Sequence, residues 1–117
     1  MPTRVLIVDD DPIFREAIAV ALRKRGYEIV GTASSLSDAR AAIAEESPDA
    51  LLLDVNLPDG DGISFCADMR SDGSRPRILL TSSDPEAVPA RLLRRSGATG
   101  FVAKAELAVT DLEPFLG

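Results

Sequence analysis

The sequence contains no histidine, so the most versatile proton-transfer side chain near neutral pH is missing. Imidazole acid/base chemistry, histidine metal ligands and any Ser-His-Asp triad are excluded with it. Cysteine occurs once, as Cys66, so no disulfide can close within the chain. That suits a reducing compartment and an expected cytoplasmic location. Aromatic residues are scarce at 4%, which leaves Val, Ile, Leu and Ala to build the core. No run of about 18 apolar residues is present to span a membrane. Met1-Pro2-Thr3-Arg4 leads straight into a strand-like segment without a signal-peptide pattern. Basic residues are in deficit, 13 Lys and Arg against 19 Asp and Glu, for a net charge of −6. A surface that grips nucleic-acid phosphates needs the opposite balance, so neither nucleic acid nor membrane is an expected contact.

What the chain does have is an ordinary globular balance, 45% hydrophobic and 27% charged, over 117 residues. That length fits one domain, residues 1–117. Short apolar runs alternate with helical patterns, the mark of a parallel α/β sheet. Val5-Leu6-Ile7-Val8 reads as a strand buried on both faces. Pro12 can open a helix whose apolar face is Ile13, Phe14, Ala17, Ile18, Ala21 and Leu22, at 3.6-residue spacing, with Gly26 as its stop. Ile29 to Ala33 is a second strand, followed by a helix capped by Ser37 or Ser35 and ending before Pro48. Leu51-Leu52-Leu53 is a third strand that delivers Asp54. A Pro- and Gly-rich turn, Leu57 to Gly62, leads to a helix bearing Ile63, Cys66 and Met69. Arg77 to Leu80 is a fourth strand, with a helix between Asp84 and Ser96. Gly100 to Ala103 is the fifth, and one last helix is expected to carry Leu107, Leu112, Phe115 and Leu116. Pro89 is awkward inside the fourth helix, because its ring would clash with the carbonyl of residue 85. Either that helix starts near Val88 or Pro89, or its first turn is distorted. The expected fold is a flavodoxin-like doubly wound (βα)5 three-layer sandwich with parallel order 2-1-3-4-5.

In such a sheet, ligands bind outside the carboxyl ends of the strands. The first strand ends in Asp9-Asp10-Asp11, the third in Asp54-Val55-Asn56, the fourth in Thr81 and the fifth near Lys104. Carboxylates gathered there repel unless a cation neutralises them, and Mg²⁺ suits a site of oxygen ligands that also meets phosphate. A carboxylate oxygen can attack phosphorus to form an acyl phosphate. Lys104 and the Thr81 hydroxyl would then hold phosphoryl oxygens beside the metal. Each piece also has a plainer role: Asp11 as a helix cap before Pro12, Thr81-Ser82-Ser83-Asp84 as a polar loop, Lys104 as a surface amine. Four strand ends carrying complementary groups in one register favour the chemical reading.

In order and spacing, Val5-Leu6-Ile7-Val8-Asp9-Asp10, Pro48 to Pro58 with Gly60 and Gly62, Leu79-Leu80-Thr81-Ser82 and Gly97 to Lys104 resemble the receiver domains of two-component response regulators. The resemblance covers essentially the whole chain. It implies that Asp54 is the phosphoacceptor for a sensor histidine kinase or phosphotransfer protein. Asp10 would ligate Mg²⁺ directly, Asp9 mainly through water, and Asn56 through its backbone carbonyl. Thr81 and Lys104 would bind the phosphoryl group, and Phe101 would be the aromatic switch. Phosphorylation would remodel the face of the fourth helix, fifth strand and fifth helix, through which a homodimer is also expected. The implied activity is signalling and transcription regulation, with no catalysis beyond self-phosphorylation and slow dephosphorylation.

One departure stands out. Ala105 follows Lys104 where the family often has proline, so a trans peptide is expected there, cis costing about 2.5–4 kcal/mol. Ala105 and the Pro-Ile-Phe-Arg-Glu opening of the first helix are closest to regulators with a C-terminal helix-turn-helix output domain, which would lie beyond Gly117. Two other readings compete. One is a Mg²⁺-dependent aspartyl-phosphate phosphohydrolase of haloacid-dehalogenase type, which would want an acid where Asn56 stands. The other is a pseudo-receiver that binds without being phosphorylated.

Overall fold

The computed structural model describes residues 1–71, 73 and 76–117. Five strands form one parallel sheet: β1 (Arg4–Val8), β2 (Glu28–Ala33), β3 (Ala50–Asp54), β4 (Arg77–Ser82) and β5 (Gly100–Ala103). Their order is β2-β1-β3-β4-β5, the doubly wound arrangement expected from the sequence. Register aligns Val5 with Ala50, Leu53 with Leu80, and Asp54 with Thr81. The chemistry-bearing strand ends therefore finish at one level.

Alternate side chains of these strands build two cores. Leu6, Val8, Leu51, Leu53 and Leu80 face one side, covered by α2 (Leu36–Glu46) and α3 (Gly62–Ser71). Val5, Ile7, Leu52 and Leu79 face the other, covered by α1 (Pro12–Lys24) and the C-terminal segment. The runs Val5–Val8, Ala50–Leu53 and Ile78–Leu80 of the central strands are apolar because both faces are covered.

Local chemistry sets the helix ends. The Asp11 carboxylate accepts a 3.0 Å bond from the Ile13 amide, and Pro12 occupies the first turn of α1, where no amide donor is required. Ser35 caps α2 by accepting from the Asp38 amide at 3.1 Å, so of the two candidate serines Ser35 is the cap. The turn from Leu57 to Gly62 contains a small antiparallel ribbon, Asn56–Leu57 against Gly60–Asp61.

In the C-terminal half one open alternative is resolved, in favour of a helix that starts near Pro89, and one expectation is corrected. The fourth helix, α4, runs only from Ala90 to Ser96, with Pro89 in extended conformation as its N-cap. Proline cannot donate inside a helix, and here it ends up just outside one. Nor does a single helix carry Leu107 to Leu116. A 3-10 helix, Lys104–Val109, is followed by extended Thr110 and a separate short α5, Glu113–Leu116. Leu107, Leu112 and Leu116 are still buried together, so the break re-aims the chain and keeps its apolar contacts. The Arg25 guanidinium holds the bend, donating to the carbonyls of Leu107, Ala108 and Thr110 at 3.0, 2.7 and 2.9 Å. Among the described residues every peptide is trans, the Lys104–Ala105 bond included.

Cys66 is 2% exposed on the inner face of α3. Burial pushes its thiol pKa up to about 12, and Asp61 adds to the rise. A thiol this protonated is a poor nucleophile. Native protein at pH 8 is therefore expected to resist iodoacetamide, and urea-unfolded protein to be alkylated at the rate of a free thiol. Rapid native labelling would contradict the packing of α3.

Candidate functional site

The sequence-predicted site residues lie at the carboxyl edge of the sheet, except Phe101, which sits within β5 opposite Leu80. Asp9 follows β1, Asp54 ends β3, Thr81 lies at the end of β4 and Lys104 follows β5. Lys104 Nζ lies 2.6 Å from Asp9 Oδ2 and 3.2 Å from Asp54 Oδ2, bridging the central strands through a charge. Its ammonium also sits 4.3 Å from the centre of the Phe14 ring, a cation–π contact from the first turn of α1. Carboxylate oxygens of Asp9, Asp10 and Asp54 fall within 4.8 Å of one another.

Backbone groups fix the two buried aspartates. Asp9 Oδ1 accepts from the Asp11 amide at 2.9 Å, and Arg15 donates to the Asp9 carbonyl at 2.6 Å. Asp54 Oδ1 accepts from the Asn56 amide at 3.1 Å. Gly62 brings the start of α3 close to this strand end, since a Cβ there would meet the Asp54 carbonyl at 2.7 Å. Asp10 is exposed, so the cluster has an open side.

The electrostatics are unbalanced. Burial raises the Asp54 pKa above the ordinary aspartate value, and the Asp9 carboxylate raises it further. The Asn56 amide and Lys104 pull it back only in part. Burial works against the Lys104 charge, yet its contacts with Asp9 and Asp54 outweigh that and raise its pKa. Three carboxylates thus share one ammonium. Asp9 Oδ2 is buried with the Lys104 ammonium against it. A net excess of two negative charges and an open side fit a hard divalent cation.

Thr81 stands beside Asp54 in register, with its hydroxyl donating 2.7 Å to the Val102 carbonyl. The hydroxyl is thus engaged with β5. Phe101 is half-buried and packs against the core on the α2–α3 side. Asn56 is exposed, and its amide supports Asp54. Sequence reasoning missed the Phe14–Lys104 contact, because Phe14 reads as one more apolar helix position. It also missed Arg15 and Arg25, whose carbonyl partners carry no sequence signal.

These features define a class: a doubly wound domain with an acidic cluster able to hold a cation and a lysine facing it. Comparison with known proteins supplies the family. The profile of the response regulator receiver domain matches residues 5–112, and the chain belongs to that family. The Bordetella pertussis virulence-factor transcription regulator BvgA is 36% identical over 106 residues, covering 91% of this chain and 51% of BvgA. The DNA-binding response regulator MtrA of Mycolicibacterium smegmatis is 37% identical over 106 residues, covering 89% of this chain and 45% of MtrA. The signal receiver domain of Mycobacterium tuberculosis NarL superposes with a TM-score of 0.80 at 34% identity, covering 87% of this chain and 83% of that one. The chain spans about half the length of these curated relatives. It is a receiver domain of the two-component response regulators, a signalling family rather than one of metabolic enzymes, and the phosphohydrolase and pseudo-receiver readings are not favoured. No helix among the described residues is long and apolar enough to cross a membrane.

Removing Lys104 would leave Asp9 and Asp54 buried without a countercharge, a change that typically costs about 3–5 kcal/mol. Lys104→Met in EDTA is expected to lower unfolding stability in urea by an amount in that range. A variant as stable as wild type would show that the bridge carries little of the fold.

Proposed function

We propose that residues 1–117 form a phosphorylation-dependent receiver in which Asp54 accepts a phosphoryl group from the phosphohistidine of a sensor histidine kinase or phosphotransfer protein. An Asp54 carboxylate oxygen attacks phosphorus, the P–N bond breaks, and the departing imidazole keeps its electron pair. An acyl phosphate forms on Asp54. The observation that carries this reading is the bridge from Lys104 to Asp54 at 3.2 Å within a carboxylate cluster that lacks a balancing charge.

Asp10 and Asp54, with the Asn56 backbone carbonyl and with Asp9 through water, would hold Mg²⁺. Bound there, Mg²⁺ supplies neutralising charge to the phosphoryl oxygens. Lys104 exchanges its contact with Asp54 for a phosphoryl oxygen while keeping Asp9 as an anchor. Thr81 turns its hydroxyl from the Val102 carbonyl toward the phosphoryl group, and Phe101 follows into the space beside β5. The new charge biases a two-state equilibrium of α4, β5 and α5, the face through which a homodimer and an output domain would respond. No side chain at the site serves as a general acid or base. Asp54 therefore works as an input that is set and slowly reset, in a cytoplasmic transcription-regulating pathway.

The test is incubation with Mg²⁺ and acetyl phosphate or phosphoramidate, followed by intact-mass measurement. One added phosphoryl group is expected in wild type and none in Asp54→Asn or without Mg²⁺. Modification that persists in Asp54→Asn would overturn the assignment. Turnover of many phosphate esters with no accumulated adduct would favour a phosphohydrolase.

A further inference from the structure

The loop that carries Asn56 is tied to a helix on the far side of the sequence. Both carboxylate oxygens of Asp59 are used: Oδ1 accepts from the Leu36 amide at 2.9 Å, Oδ2 from the Ser37 amide at 3.0 Å. These are the first two amides of α2, which have no partner within their own helix. Ser35 satisfies the third, that of Asp38. Apolar contact reinforces the tie. Leu57 and Leu36 both pack on the same core, and Gly60 brings the ribbon backbone so near that a Cβ would lie 2.8 Å from Leu36 Cδ1.

The other end of the ribbon is tied as well. Asp61, paired with Asn56 across the ribbon, accepts from the Ser64 amide at 2.8 Å and the Ser64 hydroxyl at 2.9 Å. The Gly62 amide returns to the Val55 carbonyl at 2.7 Å. The segment between Asp54 and α3 is therefore pinned at its base to α3 and at its tip to α2. Asn56, whose amide donates to Asp54 Oδ1 at 3.1 Å, lies between the two pins.

We propose that Asp59 is a positioning residue for the cation site, holding the Asn56 backbone in place by anchoring the loop tip to the first turn of α2. The inference rests on the reading that the Asn56 carbonyl is a metal ligand. It assigns Asp59, a residue outside the acidic cluster, a part in cation affinity. The Leu36 amide and then the Ser37 amide hold the Asp59 carboxyl below its ordinary pKa. With the folded value depressed, the tie is complete at neutral pH and is lost only as pH falls through that lower value.

Partners that orient a metal ligand are typically worth about 10–100-fold in affinity. The experiment measures the Mg²⁺ midpoint in two ways, by the rise in unfolding temperature and by acetyl-phosphate labelling of Asp54. Asp59→Ala is expected to raise both midpoints by about tenfold while labelling at saturating Mg²⁺ stays near wild type. Asp59→Asn, which keeps one capping oxygen, recovers part of the loss. Ser35→Ala loosens the same end of α2 without touching the loop, and leaves both midpoints at the wild-type value. An unshifted midpoint in both Asp59 variants overturns the proposal and leaves the phosphoacceptor reading intact. An equal shift in Ser35→Ala overturns it too, since helix stability alone would then explain the effect. A wild-type protein without any Mg²⁺ response would instead overturn the functional reading on which the inference rests.

Discussion

Lys104 between Asp9 and Asp54 is the contact on which the rest of this structure turns. It joins the ends of three strands, at 2.6 and 3.2 Å, and it does so with less positive charge than the site requires. A buried ion pair with one ammonium and two buried carboxylates is a poor stabiliser taken alone, because desolvation offsets much of the attraction. Its value lies in the imbalance. The deficit favours a cation at the strand ends and, in the proposed function, that cation draws in the phosphoryl group. The central strands β1, β3 and β4 are apolar and covered on both faces along their middles, which holds this polar edge rigidly.

From that edge the architecture runs outward along two routes. One passes through Asp54 into the ribbon and the starts of α2 and α3, and on the proposed reading concerns how a cation would be held. The other passes through Lys104 into the 3-10 helix it begins, and through Thr81 into β5 and Phe101. Thr81 bonded to the Val102 carbonyl and a half-buried Phe101 describe one arrangement of that second route. The short α4, starting only after Pro89, leaves the segment from Ser83 to Val88 without a regular helix to stiffen it. A face built this way has less regular backbone hydrogen bonding to resist rearrangement than a long helix would have.

The sheet and the site edge were legible because their signals are local and repeated. Uninterrupted apolar runs such as Val5 to Val8 and Leu51 to Leu53 permit only a strand covered on both faces, and each is followed directly by a carboxylate. The first helix was equally readable from Asp11, Pro12 and its apolar spacing. The C-terminal segment was not. Leu107, Leu112 and Leu116 keep an approximately helical spacing, but the backbone between them is broken at Thr110, and the carbonyls freed there are taken by Arg25 from the far end of α1. Contacts between side chains and distant backbone groups leave no periodic trace. The same reason hid Asp59, which reads as an ordinary turn residue until the start of α2 is seen beside it.

Asp54 is held charged at a cost that a divalent cation would relieve. Its folded pKa lies above the ordinary value, so at neutral pH its ionised form opposes folding, and a neutral side chain of the same shape should relieve that opposition. The direct measurement is the unfolding temperature of wild type and Asp54→Asn, each in EDTA and in saturating Mg²⁺. The account predicts that the variant is the more stable of the two in EDTA and gains less than wild type from Mg²⁺. A variant that is less stable in EDTA and keeps the full Mg²⁺ increment would contradict it.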